Sequence, residues 1–186
     1  TPAQFFHVLR RQMRRSFRTP LVVFTPKSLL RLRRATSRPE DLASGRFQRL
    51  IGDAQAADSA DRVERVILCS GKLYYDLIAE QGKRTEEDAP PTTALLRVEQ
   101  LHPWPGDRIR EELARYASAR DVVWAQEEPA NMGAWTYLRD RLEESLSPSQ
   151  TLRYAGRAES ASTAVGSIRV HRQEQAAVVA QAFGAG

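Results

Sequence analysis

The sequence predicts an α/β fold, a mainly parallel sheet flanked by helices. Three observations lead there. Apolar runs too short for helices recur along the chain, at Leu21–Phe24, Val63–Cys69, Thr93–Val98, Val122–Ala125 and Thr151–Tyr154. Segments with apolar residues at three- and four-residue spacing lie between them, and the connections are too long for hairpins. At the fourth run, Trp124-Ala125 passes through Gln126, Glu127 and Glu128 into Pro129 and Asn131, the layout of the carboxyl edge of a parallel strand, where such folds place functional groups.

Composition sets the bounds. A chain of 186 residues with 41% apolar content suits one domain with one core. No apolar run approaches the ~18–20 residues of a membrane span, and Phe5-Phe6 is followed by arginines rather than by a signal-peptide core. Cys69 is the single cysteine, so an internal disulfide is excluded and a reducing compartment is expected. Thr1 stands where an initiator methionine would, as in a chain cut from a longer one. The net charge of +5 is uneven: residues 1–38 carry ten Lys or Arg and no Asp or Glu. A basic face of this kind meets an anion, an acidic neighbour or a missing domain.

The elements follow in order. Thr1-Pro2-Ala3-Gln4 starts a helix, with Thr1 as N-cap, Pro2 at the first helical position and Gln4 completing a capping box. Phe5, Leu9, Met13 and Phe17 form one stripe, with Arg10, Arg11, Arg14, Arg15 and Arg18 off it. Leu21–Phe24 is the first strand, ended by Thr25-Pro26-Lys27-Ser28. Ser37-Arg38-Pro39-Glu40 leads a short helix, and residues 52–61 form an exposed connection. Val63–Cys69 is a central parallel strand, turning at Ser70-Gly71-Lys72 into a helix bearing Leu73, Leu77 and Ile78. After a loop over 82–92 comes the strand Thr93–Val98. The rigid loop Leu101–Pro105 then precedes a helix with Ile109, Leu113 and Tyr116. The strand Val122–Ala125 is followed by a helix capped by Asn131 and carrying Trp135, Leu138 and Leu142. Thr151–Tyr154 is the last strand, and a helix through Val178 and Phe183 closes the chain.

The chemistry that stands out is anion binding. Ser70-Gly71-Lys72 leaves a strand and opens a helix, so free N–H groups, a glycine that allows close approach and an ammonium converge. Thr25 and Lys27 end a neighbouring strand in the same way, and Arg11 reaches toward that edge from the first helix. Together they suit a polyphosphate such as a nucleotide or coenzyme A; an ordinary βα turn is the other reading, since P-loop spacing is absent. Glu127 and Glu128 are adjacent on an extended segment and point to opposite sides, which favours a salt bridge to an arginine over paired acid–base work. His7, His102 and His171 have no metal-ligand spacing, and no Ser/His/Asp constellation supports nucleophilic catalysis. Neither nucleic acid nor membrane is expected as a partner, because the basic stretch lacks an aromatic-rich RNA motif or zinc spacing.

One stretch, Trp-Ala-Gln-Glu-Glu-Pro-x-Asn-x-Gly-Ala-Trp over 124–135, resembles the C-terminal region of the thiamine-diphosphate-dependent 2-oxoglutarate dehydrogenases. The likeness runs nearly end to end. It includes Thr1-Pro2-Ala3-Gln4, Leu9-Arg10-Arg11, Thr25-Pro26-Lys27-Ser28, Cys69-Ser70-Gly71-Lys72, Arg97–Pro103, Arg153–Arg157 and Ser160-Ala161-Ser162. Met132, where the family usually has glutamine, and the loop 53–62 depart from it. The resemblance implies a single transketolase-C-like α/β domain over 1–186, the C-terminal part of a much longer chain. It implies thiamine diphosphate and Mg²⁺ bound upstream, decarboxylation of 2-oxoglutarate, and succinyl transfer to a lipoyl-bearing acyltransferase. It also implies a homodimer, and the bacterial cytoplasm or the mitochondrial matrix as compartment. No catalytic, cofactor or metal residue carries over. An acetyl-CoA or AMP effector site does, at Arg11, Thr25, Lys27, Ser70, Lys72 and Arg108. A 2-oxoadipate dehydrogenase homologue and a stand-alone nucleotide- or acyl-CoA-binding module are the alternatives.

Overall fold

The computed structural model describes residues 1–85 and 91–184, so residues 86–90 of the expected loop 82–92 lie outside the described residues. The chain divides into two compact units, residues 1–49 and 50–186.

The first unit holds helix α1 (Pro2–Arg14), a 3-10 turn (Lys27–Arg31) and helix α2 (Pro39–Ala43). Thr1 caps α1 by accepting from the Gln4 N–H, and Pro2 occupies the first turn as its sequence predicts. The Gln4 amide holds both the carbonyl and the N–H of Gln48, each at 2.8 Å. His7, buried, bonds the Asp41 carbonyl at 2.7 Å. These contacts make Ala3, Gln4 and His7 the inner face of α1. The stripe of Phe5, Leu9 and Met13 points outward and is exposed. The expected strand at 21–24 is not formed: no ladder or other backbone hydrogen bond joins these residues to any described residue. An extended apolar run is a strand only beside another strand, and here it has none. Thr25 and Lys27 therefore do not end a strand; Lys27 opens the 3-10 turn.

The second unit is a five-stranded sheet, among the described residues, in the order β1-β3-β2-β4-β5. Its strands are β1 (Leu50–Ile51), β2 (Arg65–Cys69), β3 (Thr93–Val98), β4 (Asp121–Pro129) and β5 (Thr151–Arg157). Only β1 is antiparallel to its neighbour; the other pairings are parallel. Helices α3 (Ala54–Ala57), α4 (Leu73–Arg84), α5 (Gly106–Ala114), α6 (Trp135–Glu143) and α7 (Ile168–Ala182), with a 3-10 turn at Ala60–Arg62, accompany the sheet.

The alternation of side chains along β2 explains the layering. Val66 and Leu68 enter a core with Ile109 and Leu113 of α5 and Leu138 and Leu142 of α6. Ile67 and Cys69 enter the opposite core with Leu73 and Leu77 of α4 and Val178 and Ala182 of α7. A central strand covered on both faces has no polar position, which is why residues 66–69 read as one apolar run. Each such aliphatic side chain gains about 1.5–3 kcal/mol on burial.

Residues 52–61 are not merely an exposed connection. Asp53 caps α3 through Oδ1, and its Oδ2 accepts from Leu95 N at 3.0 Å and Gln81 Nε2 at 3.1 Å, tying that segment to β3 and α4. Tyr116, just beyond α5, is fully buried, and burial pushes its hydroxyl up to about 12.

Candidate functional site

The carboxyl ends of β2 and β4 open into a cavity of about 470 Å³. Ser70, Gly71 and Lys72 follow β2, Leu101 and His102 follow β3, and Trp124, residues 126–128, Gly133, Ala134 and Tyr137 come from β4, the segment into α6 and α6 itself. Trp124, Leu101 and Ala134 give the lining apolar surface, and Ser70, Lys72, Gln126, Glu127 and Glu128 give it polar groups.

The turn out of β2 leaves its backbone open to the cavity. Gly71 has φ of +70°, a left-handed conformation that favours glycine, and nothing lies within 4 Å of where its Cβ would stand. Lys72 then occupies the N-cap of α4 and directs its ammonium across the cavity to an ion pair with Glu127. The expected salt bridge at Glu127 is therefore present, with a lysine instead of an arginine. An arriving anion has to compete with the Glu127 carboxylate for that ammonium. His102 meets the Tyr137 hydroxyl at 3.1 Å across the mouth.

The opposite wall depends on Gln126, a residue its sequence context did not single out. Its side chain is buried, with Oε1 accepting from Trp124 Nε1 and Trp135 N, both at 3.0 Å. Its Nε2 donates to the Met132 carbonyl at 2.8 Å and the Pro129 carbonyl at 3.2 Å. One amide thus fixes the turn from β4 into α6 and with it the positions of Glu127 and Glu128. The only sequence signal for this is a glutamine that directly continues a buried strand.

Two expectations about this stretch need correction. The strand does not stop at Ala125: β4 runs on to Pro129, which pairs with Arg157 after a register shift. β2 leaves β4 at the Cys69–Ala125 pair, so Pro129 sits where one side of the strand needs no ladder. Asn131 does not cap α6, whose N-cap is Ala134; its amide instead bonds both backbone groups of Ser160, at 3.0 and 3.1 Å.

The remaining expected site residues fall as follows. Ser70 and Lys72 share the cavity. Arg108, on α5, pairs with Glu111 at 2.6 Å and does not line it. Arg11, Thr25 and Lys27 belong to the unit of residues 1–49. There Arg11 stacks 4.0 Å over the Phe47 ring in a cavity of about 400 Å³ also lined by Arg10, Arg14, Arg15, Arg46 and Arg49. Burial, then the charges of Arg15 and Arg49, lower the Arg11 pKa, so this surface favours an incoming anion. Among the described residues no group of three or more His, Cys, Asp or Glu is placed to hold a metal ion, and no helix is long and apolar enough to cross a membrane.

Comparison with known proteins agrees with this picture. The family model described as 2-oxoglutarate dehydrogenase C-terminal matches residues 36–183. The 2-oxoglutarate dehydrogenase E1 component of Cupriavidus necator is 48% identical over 183 residues, and that of Coxiella burnetii 46%. That of Haemophilus influenzae is 43% identical. In each case the match covers 98% of this chain and 19% of the relative, so the chain spans about a fifth of the length of these proteins. With a mainly parallel sheet covered on both faces and a family match over most of its length, the chain belongs to the 2-oxoglutarate dehydrogenase C-terminal family.

Proposed function

We propose that this chain is the C-terminal part of a 2-oxoglutarate dehydrogenase. The whole polypeptide oxidatively decarboxylates 2-oxoglutarate in the tricarboxylic acid cycle and passes the succinyl group to a lipoyl-bearing acyltransferase, working as a homodimer. The observation that carries this reading is identity of 43–48% along nearly the full chain to three E1 components. The likeness to the transketolase C-terminal domain belongs to the same proposal, supported by the mainly parallel sheet. Thiamine diphosphate and its Mg²⁺ supply the carbanion chemistry of such enzymes. The described residues do not suit that group: no acidic cluster is placed for the metal, and Glu127 is committed to Lys72. No step of the reaction is assigned to this chain.

The test has two parts. The native polypeptide carrying this stretch has an intact mass several times 21.0 kDa and decarboxylates 2-oxoglutarate, whereas residues 1–186 alone do not. Turnover by residues 1–186, or a native mass near their own, overturns the reading.

The role of this part is regulatory and structural. Ser70 and Lys72 receive the phosphates of an acetyl-CoA or AMP effector, a reading supported by the open Gly71 turn and the N-terminus of α4. The family resemblance adds Arg11, Thr25, Lys27 and Arg108, each to be tested by its own substitution. In the full polypeptide, Lys72→Ala weakens effector binding by about 1–3 kcal/mol, the scale of a charge-assisted hydrogen bond. Unchanged titration calorimetry removes Lys72 from the site.

A further inference from the structure

The exposed large apolar side chains of the described residues, Val165 and Ile168 excepted, all lie before residue 33. Seven of these eleven fall into two features, Phe6, Phe17, Leu30 and Leu32 lying outside both. On α1, Phe5, Leu9 and Met13 recur every four residues on the face opposite Ala3, Gln4 and His7, and Met13 is 70% exposed. Beyond the helix, the run Leu21-Val22-Val23-Phe24 makes no backbone hydrogen bond to a described residue, with Val22 at 70% and Phe24 at 95% exposure.

Each feature specifies its complement. A run apolar on both alternating faces fits a strand covered above and below, the interior position of a parallel sheet. Its unpaired N–H and C=O groups call for a backbone ladder, which a lipid surface or a side-chain groove cannot supply. A helix directly before such a run, with an apolar stripe of its own, is the closing helix–strand step of an α/β layer, the stripe lying against the sheet the strand joins. The family match begins only at residue 36, so this step lies outside the C-terminal domain proper. Because that match is to the C-terminal domain, most of the relatives' length, of which this chain covers 19%, precedes the matched segment.

We infer that residues 1–24 are the last helix and strand of a preceding α/β domain of the same polypeptide: Leu21–Phe24 pairs within its sheet and the α1 stripe packs on it. The inference rests on the reading of the chain as the C-terminal part of a longer polypeptide. The occupant is thus the segment upstream of Thr1, in preference to a second copy or a membrane.

The experiment uses the full native polypeptide. Its intact mass is measured first; a value near 21.0 kDa overturns the longer-chain reading and this inference with it. With a heavier chain, hydrogen exchange and photocrosslinking decide this inference alone. The amides of residues 21–24 are expected to exchange at least about 100-fold more slowly than unstructured peptide, as ladder hydrogen bonds require. Benzoylphenylalanine placed at Phe24 or at Met13 is expected to crosslink to peptides upstream of Thr1 in the same chain, which mixed heavy- and light-isotope subunits distinguish from a partner chain. Free exchange at 21–24 overturns the inference. So does crosslinking to residues 1–24 of a second copy, or to lipid in vesicles of anionic phospholipid.

Discussion

Replacing Gln126 by leucine tests how far the cavity wall depends on one buried amide. Leucine matches the volume but removes an acceptor for Trp124 Nε1 and Trp135 N, and a donor to the Met132 and Pro129 carbonyls. Trp124 is 1% exposed, so its indole N–H finds no replacement in water. A buried polar group left without a partner costs about 1–3 kcal/mol; the Pro129 carbonyl keeps the Met132 N–H, so the leucine variant leaves up to three such groups, about 4 kcal/mol together. For a chain of this size that lowers Tm by roughly 8–16 °C. All three tryptophans, Trp104, Trp124 and Trp135, lie beyond residue 49, so fluorescence-monitored melting reports the unit that contains the change. Gln126→Glu separates hydrogen bonding from shape. The new carboxylate still accepts from both N–H groups but turns its second oxygen toward two carbonyls. Those carbonyls disfavour the charged form and raise its folded pKa above the unfolded value of ~4.3. Stability relative to the native sequence is then retained below the unfolded value and lost as pH rises through the folded one. A leucine variant melting within about 2 °C of the native chain, equivalent to less than ~1 kcal/mol, would refute the reasoning. So would a glutamate deficit that stays flat from about pH 4 to about pH 8.

Other outcomes follow from the same geometry. Asp121 is clamped by Arg65 at 2.6 Å and Arg153 at 2.8 Å; the Arg65 hydrogen bond is the main cause that holds its pKa below the usual carboxylate value. Its contribution is complete above the unfolded value of ~3.9 and is lost as pH falls through the folded one, so Asp121→Asn flattens the acid limb of a stability–pH curve. Cys69 is fully buried, and burial pushes its thiol up to about 12. It is therefore expected to resist a thiol reagent in the native chain and to react once in denaturant, and rapid native labelling would contradict that placement. Gly71→Ala places a Cβ in open space but in a left-handed conformation, which costs roughly 1–2 kcal/mol by denaturant titration.

What was legible in the sequence is what short-range physics decides. The strands at 65–69 and 93–98 show because both of their faces are covered, leaving unbroken apolar runs. β1 is two residues long and offers no pattern to read. The continuation of β4 through Pro129 was hidden because a proline breaks a ladder only where a strand lies on the side its N–H would face, and that depends on where β2 ends. Asn131 shows the same ambiguity. Its side chain serves a cap or a loop equally well, and the position of Ser160 decides. At the cavity, the Ser70-Gly71-Lys72 turn was readable as a local motif, whereas the partner of Lys72 lies 55 positions away and is set by the register of β2 on β4.

That register links the fold to the candidate site. Cys69 pairs with Ala125, so the three residues after β2 and the three after Ala125 rise from the same sheet edge side by side. Lys72 meets Glu127 for this reason alone. A slip of one residue would turn Glu127 to the other face and leave the ammonium unpaired. The pair is partly exposed, with side chains 36% and 21% accessible, so its direct contribution to stability is small, about 0–1 kcal/mol. Its consequence is occupancy: while Glu127 holds Lys72, an anion reaches the ammonium only by displacing a carboxylate that the sheet keeps within reach. An effector bound here would therefore be released by the same residue it displaced. On this argument Glu127→Gln tightens binding of an anion at Lys72 while leaving the sheet register unchanged, and weaker binding in that variant would mean that Glu127 itself contacts the ligand.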